Sequence, residues 1–243
     1  MKDGFEYVSK TIGLTVKETM IKEVIDFRQS YYAKLSKLRR LMSADPQPYG
    51  GIENVLLSYP LQMPLNTGVE PWEEVLDLAI EEINERIEKQ EGILPAGAPK
   101  LMFQIMPYVQ PWICKMFEDN GILLSGGGAT KNTLSPISYS DPFMASAEIW
   151  LRGSVIANTG FQANELIEML QTYNYDGMLF GFFDFDRWLG SDDRLLAKII
   201  EEKAGIPAFY VEGDFWEDRD YSMESLRTRI ESISEILKMR KLG

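Results

Sequence analysis

Apolar residues recur along this chain at two spacings. They fall every three or four positions in the first ninety residues and in the last twenty, and between these, short unbroken runs alternate with further stretches at helical spacing. From about Thr15 to Met42, Ile21, Val24, Ile25, Tyr31, Tyr32, Leu35, Leu38 and Met42 fall at helical spacing and predict one long helix. Ala44 to Gly51 is dense in Pro, Gly and Asp and ends it, because Pro has no amide donor and Gly relaxes the backbone. A second break at Tyr59 to Leu65 separates two further helices. The later one opens at Glu70-Pro71-Trp72, with Pro in its first turn and Glu73 and Glu74 near the positive end of its dipole. Its stripe is Trp72, Leu76, Ala79, Ile80, Ile83 and Ile87. Gly92 to Pro99 reads as a linker.

Beyond the linker the pattern changes to that of strands covered on both faces. Leu101 to Met106 is the first such run. Pro107-Tyr108 begins a helix with Trp112, Ile113, Met116 and Phe117, ending at Asn120-Gly121, and Ile122-Leu123-Leu124 follows as the second strand. Asp141-Pro142 starts one helix and Thr159-Gly160 another, the latter with Leu166, Ile167 and Leu170 turned inward. Asp176 to Phe183 is the third strand. Ser191 is placed to cap the next helix, with Asp192 and Asp193 in its first turn, Leu195, Leu196, Ile199 and Ile200 on one face, and Ala204-Gly205 as its stop. Ile206 to Val211 is the fourth strand, and Leu226, Ile230, Ile233 and Leu237 give a closing amphipathic helix. The expected class is α/β: a helical segment over 1–98, then over 99–243 a flavodoxin-like parallel four-stranded sheet in the order 2-1-3-4 with helices on both faces.

Charge and composition narrow the chemistry. Lys and Arg total 25 against 37 Asp and Glu, a net of −12, which disfavours nucleic acid as the main partner because phosphate backbones call for clustered cations. No apolar run reaches the roughly 20 residues needed to cross a bilayer, and Met1-Lys2-Asp3-Gly4 lacks a signal-peptide core, so the protein is read as cytoplasmic with no membrane partner. Histidine is absent and Cys114 is the one cysteine. Within these residues that excludes a Ser-His-Asp triad, a His-based metal site, a Cys-His pair and an internal disulfide. Reactive groups must be carboxylates, hydroxyls, Lys or Arg, or come from a cofactor or partner chain.

In open parallel sheets ligands gather beyond the carboxyl ends of the strands, where the strand order reverses. The expected substrate-binding rim is Tyr108, Ser125, Gly126, Gly127, Gly128, Asp184, Asp186, Glu212 and Asp214. Ser125 to Lys131 is either a surface loop or a loop that contacts ligand phosphates through its backbone amides. Pro136 separates it from the next helix, unlike a dinucleotide fingerprint. Lys34, Lys37, Arg39 and Arg40 form either a solvated helix face or a phosphate contact. Arg227 and Arg229 either clamp Glu212 or Asp214 or meet phosphates, and Asp218 to Asp220 reads as a solvated turn. Phe180, Phe182, Phe183, Phe185 and Trp188 belong to core or subunit interface, or shape an apolar pocket. Cys114, on the apolar face of its helix, is a buried structural thiol.

Gly205-Ile206-Pro207, Glu212-Gly213-Asp214 and Leu226 to Glu231 with Glu235 one turn later resemble the C-terminal signature of the 2-hydroxyacyl-CoA dehydratase family, which includes the 2-hydroxyglutaryl-CoA dehydratase D-component and benzoyl-CoA reductase subunits. Asp141-Pro142 with Ala147-Glu148 and Leu151 is similar to the family, as is the helical entry from Ile12 to Leu38, and Asp218 to Tyr221 resembles the reductase branch. The likeness spans nearly the whole chain but corresponds to the later portion of a family member, which usually carries another α/β domain first. It implies a CoA thioester substrate and removal of a hydroxyl, or reduction of an aromatic thioester, by a ketyl-type radical. It also implies a 4Fe-4S cluster held by cysteines, a homologous second subunit and an ATP-dependent activator. A ligand cysteine is expected after the third strand, where this chain has Asp186, so the cluster is not expected to be bound by this chain alone. The alternative is a non-catalytic relative that scaffolds or regulates a partner.

Overall fold

The computed structural model describes residues 1–54, 57, 70–104, 111–125, 136–152, 158–183, 187–213 and 222–242, with backbone alone at 70, 104, 182, 183, 187–191, 212, 213 and 242. Four strands, β1 (Lys100–Gln104), β2 (Leu123–Ser125), β3 (Gly177–Phe183) and β4 (Ala208–Gly213), form one sheet in the order β2-β1-β3-β4. Every pairing is parallel: Leu101 lies opposite Leu124 and Gly177, and Leu179 opposite Phe209. The expected class and strand order are those observed, an α/β chain with an N-terminal helical segment before a flavodoxin-like sheet.

The side-chain alternation of a strand sends neighbours to opposite faces, and each face has its own helices. Leu101, Phe103, Leu124, Leu179, Phe209 and Val211 pack against α4 (Pro111–Asp119) and α8 (Met223–Leu242), through Ile113 and Phe117 and through Leu226, Ile230, Ile233 and Leu237. Met102, Met178 and Phe180 pack against α6 (Thr159–Thr172) and α7 (Arg187–Ala204), through Ala163, Leu166 and Leu170 and through Leu196, Ala197 and Ile200. Strands buried on both sides must be apolar throughout, which is why their sequence reads as runs. Gly177 is required by the tight pairing here: a Cβ at this position would lie 2.7 Å from Leu101 Cδ2 and 3.2 Å from the Pro207 carbonyl oxygen.

Among the described residues the helical segment holds α1 (Lys2–Ile12), α2 (Glu18–Met42) and α3 (Glu70–Glu88), and residues 51–54 are helical as well. Tyr31, Leu35, Leu38 and Met42 of α2 interlock with Leu76, Ala79, Ile80 and Ile83 of α3 in a separate core. Lys34 strengthens that seam by reaching Glu73 at 2.8 Å and Asp77 at 2.7 Å. Ile21 and Ile25 of α2 meet Ala145 of α5 (Pro142–Leu151) in a smaller cluster that includes Phe5 and Phe143. The start of α5 is fixed as its sequence predicts, with Pro142 in the first turn and the Asp141 carboxylate accepting from the Met144 amide at 2.8 Å. A polar bond ties the segment to the sheet, Lys100 Nζ of β1 donating to the Ser43 carbonyl at 2.9 Å, and within the segment Gly97 N donates to both Asp45 carboxylate oxygens.

Several local expectations differ from the structure. The long helix expected from about Thr15 to Met42 is α2, and a separate helix that the periodicity does not mark, α1, precedes it and ends where Gly13 adopts a left-handed φ of 71°. Val24 is exposed, since α3 covers α2 only along its later turns. Ser191 is not a cap: α7 begins at Arg187, so Ser191 lies in its second turn, and Asp192 accepts from Thr159 Oγ1 of α6 at 2.6 Å instead of serving the helix dipole. Leu195 is exposed while Asp193, Leu196, Ala197 and Ile200 are buried, rotating the inner face from the one expected. Among the described residues no helix is long and apolar enough to cross a membrane.

Candidate functional site

The strand order places the reversal between β1 and β3. The chain leaves β1 toward β2 on one side and returns to β3 on the other, the arrangement in which open parallel sheets take ligands at the carboxyl edge. The described rim is made by Gln104, Ser125, Phe183 and Gly213, the last residues of the four strands. Phe183 and Gly213 are paired, so Asp184 and Asp214 each follow one member of that pair in sequence. Glu212 lies opposite Phe182 in the β4–β3 register. Tyr108, Gly126, Gly127, Gly128, Asp184, Asp186 and Asp214 lie outside the described residues, as do Phe185 and Asp218 to Tyr221.

Ser125 ends β2 on the α6 side of the sheet and is 1% exposed. Its hydroxyl lies 3.3 Å from the Tyr175 phenol, which stands just before β3. Arg39 is the unexpected member of this layer. It comes from α2, is buried, and brings Nη1 to 4.0 Å from Met169 Sδ of α6. Burial pushes its pKa down, while the neighbouring Tyr175 and Tyr173 hydroxyls oppose that. Burial pushes the Tyr175 phenol up, with the Ser125 hydrogen bond and the Arg39 charge pulling the other way. A guanidinium, two phenols and a hydroxyl thus underlie the β2 end of the rim. Sequence reasoning grouped Arg39 with exposed cations, yet it continues the stripe of Leu35, Leu38 and Met42 at helical spacing. A cation inside an apolar stripe was the available signal.

The basic segment of α2 does not act as one face. Lys34 is committed to α3, Arg39 points into the protein, and Lys37 and Arg40 are exposed. Arg227 and Arg229 lie on the exposed side of α8, while the side chain of Glu212 and all of Asp214 fall outside the described residues. Phe180 is fully buried core, stacked on Tyr210 with ring centroids 5.8 Å apart.

A 4Fe-4S cluster, implied by the resemblance, needs thiolates within reach of one another. The residues here do not fit it. Cys114, the sole cysteine, is 1% exposed on the inner face of α4, and burial pushes its thiol from 9.0 up to about 12, so it is not a ready thiolate. Among the described residues no group of three or more Cys, Asp or Glu is arranged to hold a metal ion.

Comparison with known proteins matches residues 1–237 to the family model described as 2-hydroxyglutaryl-CoA dehydratase, D-component. No curated protein matches the chain.

Proposed function

The chain belongs to the 2-hydroxyglutaryl-CoA dehydratase D-component family, and from that premise we propose that it is a subunit, or the C-terminal portion of one, in an assembly that acts on acyl-CoA thioesters. The family implies a dehydratase-type component. The finer reading is radical electron-transfer chemistry of the dehydratase or benzoyl-CoA-reductase kind, with a homologous second chain supplying the 4Fe-4S cluster and an ATP-dependent activator supplying the electron. The single observation that carries the family reading is the match over 1–237. The parallel sheet supports a substrate site at its carboxyl edge, where Asp184, Asp186, Glu212 and Asp214 would offer oxygen ligands and hydrogen-bond acceptors to the acyl group and its hydroxyl. Residues 1–98 and 99–243 serve as the helical and α/β parts of that component.

A second reading is favoured by Cys114: a relative that kept the fold and scaffolds or regulates a partner without a redox centre. Anaerobic co-expression with a homologous cysteine-bearing chain, followed by iron and sulfide analysis and visible absorbance, separates the two. The first reading expects a coloured complex that turns over a 2-hydroxyacyl-CoA. A colourless complex that forms and is inert leaves only the scaffold.

A further inference from the structure

A groove of about 220 Å³ runs along the outer face of α2, lined by Arg28, Gln29, Tyr32, Ala33, Ser36, Arg40 and Pro136. Arg28, Tyr32, Ser36 and Arg40 are successive i+4 positions, so they form one strip of about 18 Å at 1.5 Å per residue. In a chain of net charge −12, this lining holds, among the described residues, two guanidiniums and no carboxylate. Arg28 is half-buried, with its guanidinium carbon 3.9 Å from the centroid of the Tyr32 ring. Stacking of that kind fixes the plane of the fork and lowers the ordering cost of a bidentate contact. Gln29 Oε1 accepts from Ile137 N at 3.4 Å, which leaves its amide NH2 as the donor on that side chain. Ser36 adds a hydroxyl. Pro136 closes one side of the groove.

Two planar guanidiniums, with the Ser36 hydroxyl and the Gln29 amide able to donate between them, select an oxyanion, and Arg forks suit phosphate. At about 220 Å³ the groove is smaller than the roughly 300–1,000 Å³ of a whole-cofactor pocket, so it takes one end of a ligand and leaves the remainder outside. We propose that the α2 groove is a binding site for the phosphate-bearing end of a ligand, with Arg28 and Arg40 as its two anchors. The source is either the nucleotide end of a CoA thioester or a free nucleotide. Only the first of these rests on the acyl-CoA reading above.

The test is calorimetric titration of the full chain with CoA, ADP, inorganic pyrophosphate and pantetheine, using wild type, Arg28→Gln, Arg40→Gln and the double variant. Pyrophosphate and at least one of CoA and ADP bind, and pantetheine does not. Each single substitution raises Kd about tenfold and the double variant about a hundredfold, as expected for loss of one and two charge-assisted contacts. Binding also weakens with added salt. Arg40 is exposed, so Arg40→Gln carries the test alone if Arg28→Gln lowers the melting temperature. ADP binding that needs both arginines, without CoA binding, keeps the groove and removes the acyl-CoA reading. CoA binding with an unchanged Kd in the double variant removes the groove and leaves that reading intact. Pantetheine binding as tightly as CoA, or no binding by any phosphate probe, also overturns the groove.

Discussion

Cys114 shows how much one position can decide. Its thiol sits among Ile113, Phe117 and Leu124, and burial raises its pKa from 9.0 to about 12, with the Glu118 charge adding to the rise. A group whose folded pKa lies above its unfolded value stabilises the fold fully below the unfolded pKa and loses that contribution as pH climbs through the folded one. Unfolding free energy should therefore hold steady across neutral pH with respect to this group and fall between about 9 and 12. Tyr31 and Tyr49, raised by burial from 10.0 to about 12, add losses of the same sign that begin one unit higher. Urea titrations at stepped pH check this, and Cys114→Ala should remove the earliest part of the decline. A thiol reagent at pH 8 should label native protein no faster than the protein opens. Prompt stoichiometric labelling would contradict the burial. This environment was legible in the sequence, because Cys114 shares a helical face with Ile113 and Phe117. Arg39 was not, because charge counted along the chain cannot tell a cation at the surface from one continuing an apolar stripe.

At the scale of elements, legibility follows the number of faces an element buries. The strands, covered on both sides, and α8, with Leu226, Ile230, Ile233 and Leu237 all buried, read directly from periodicity. The segment α1 went unread because none of its residues is buried, so no core-facing stripe marks it. The start of α7 was misplaced because Ser191 and the two aspartates imitate a cap, whereas a hydrogen bond across to α6 decides the role of Asp192. Two glycines, needed for different reasons, allow a paired test. Gly177 is needed for space, so Gly177→Ala should cost about 1–3 kcal/mol through crowding of β1 and β4. Gly205 ends α7 with a φ of 67° and has nothing within 4 Å of a built Cβ, so Gly205→Ala should cost about 1–2 kcal/mol through backbone strain alone. Chemical denaturation of Gly205→Asn separates the causes: asparagine tolerates the left-handed region and should recover part of the loss. No difference between Asn and Ala would assign that cost to something other than φ.

At the scale of the molecule, the topology follows from order and handedness. Alternating strands and helices with right-handed crossovers leave few arrangements, and the reversal between β1 and β3 is among them. The rim was legible to that extent, since parallel strands must present their carboxyl ends together. The layer below the rim was not, because Arg39, Ser125 and Tyr175 are remote in sequence and meet only when α2 docks on the sheet. The same docking turns one flank of α2 outward, with Arg28 and Arg40 on it, something a count of cations along the helix did not separate from Lys34 and Arg39.

The donor inventory sets the last expectation. Thiolates hold iron-sulfur clusters because soft, anionic sulfur matches iron, whereas a single protonated thiol packed among Ile113, Phe117 and Leu124 offers neither charge nor approach. A carboxylate at Asp186 cannot replace the several sulfurs such a cluster takes from its protein. Anaerobic reconstitution of the isolated chain with iron and sulfide, followed by desalting, should therefore leave well below one equivalent of iron and no visible charge-transfer band. Cys114→Ser should change neither result, because the wild-type sulfur is not within reach. Retention of a stoichiometric cluster, lost again in Cys114→Ser, would mean that α4 opens enough to expose its inner face, and the burial of this thiol would no longer describe the protein that works in an assembly.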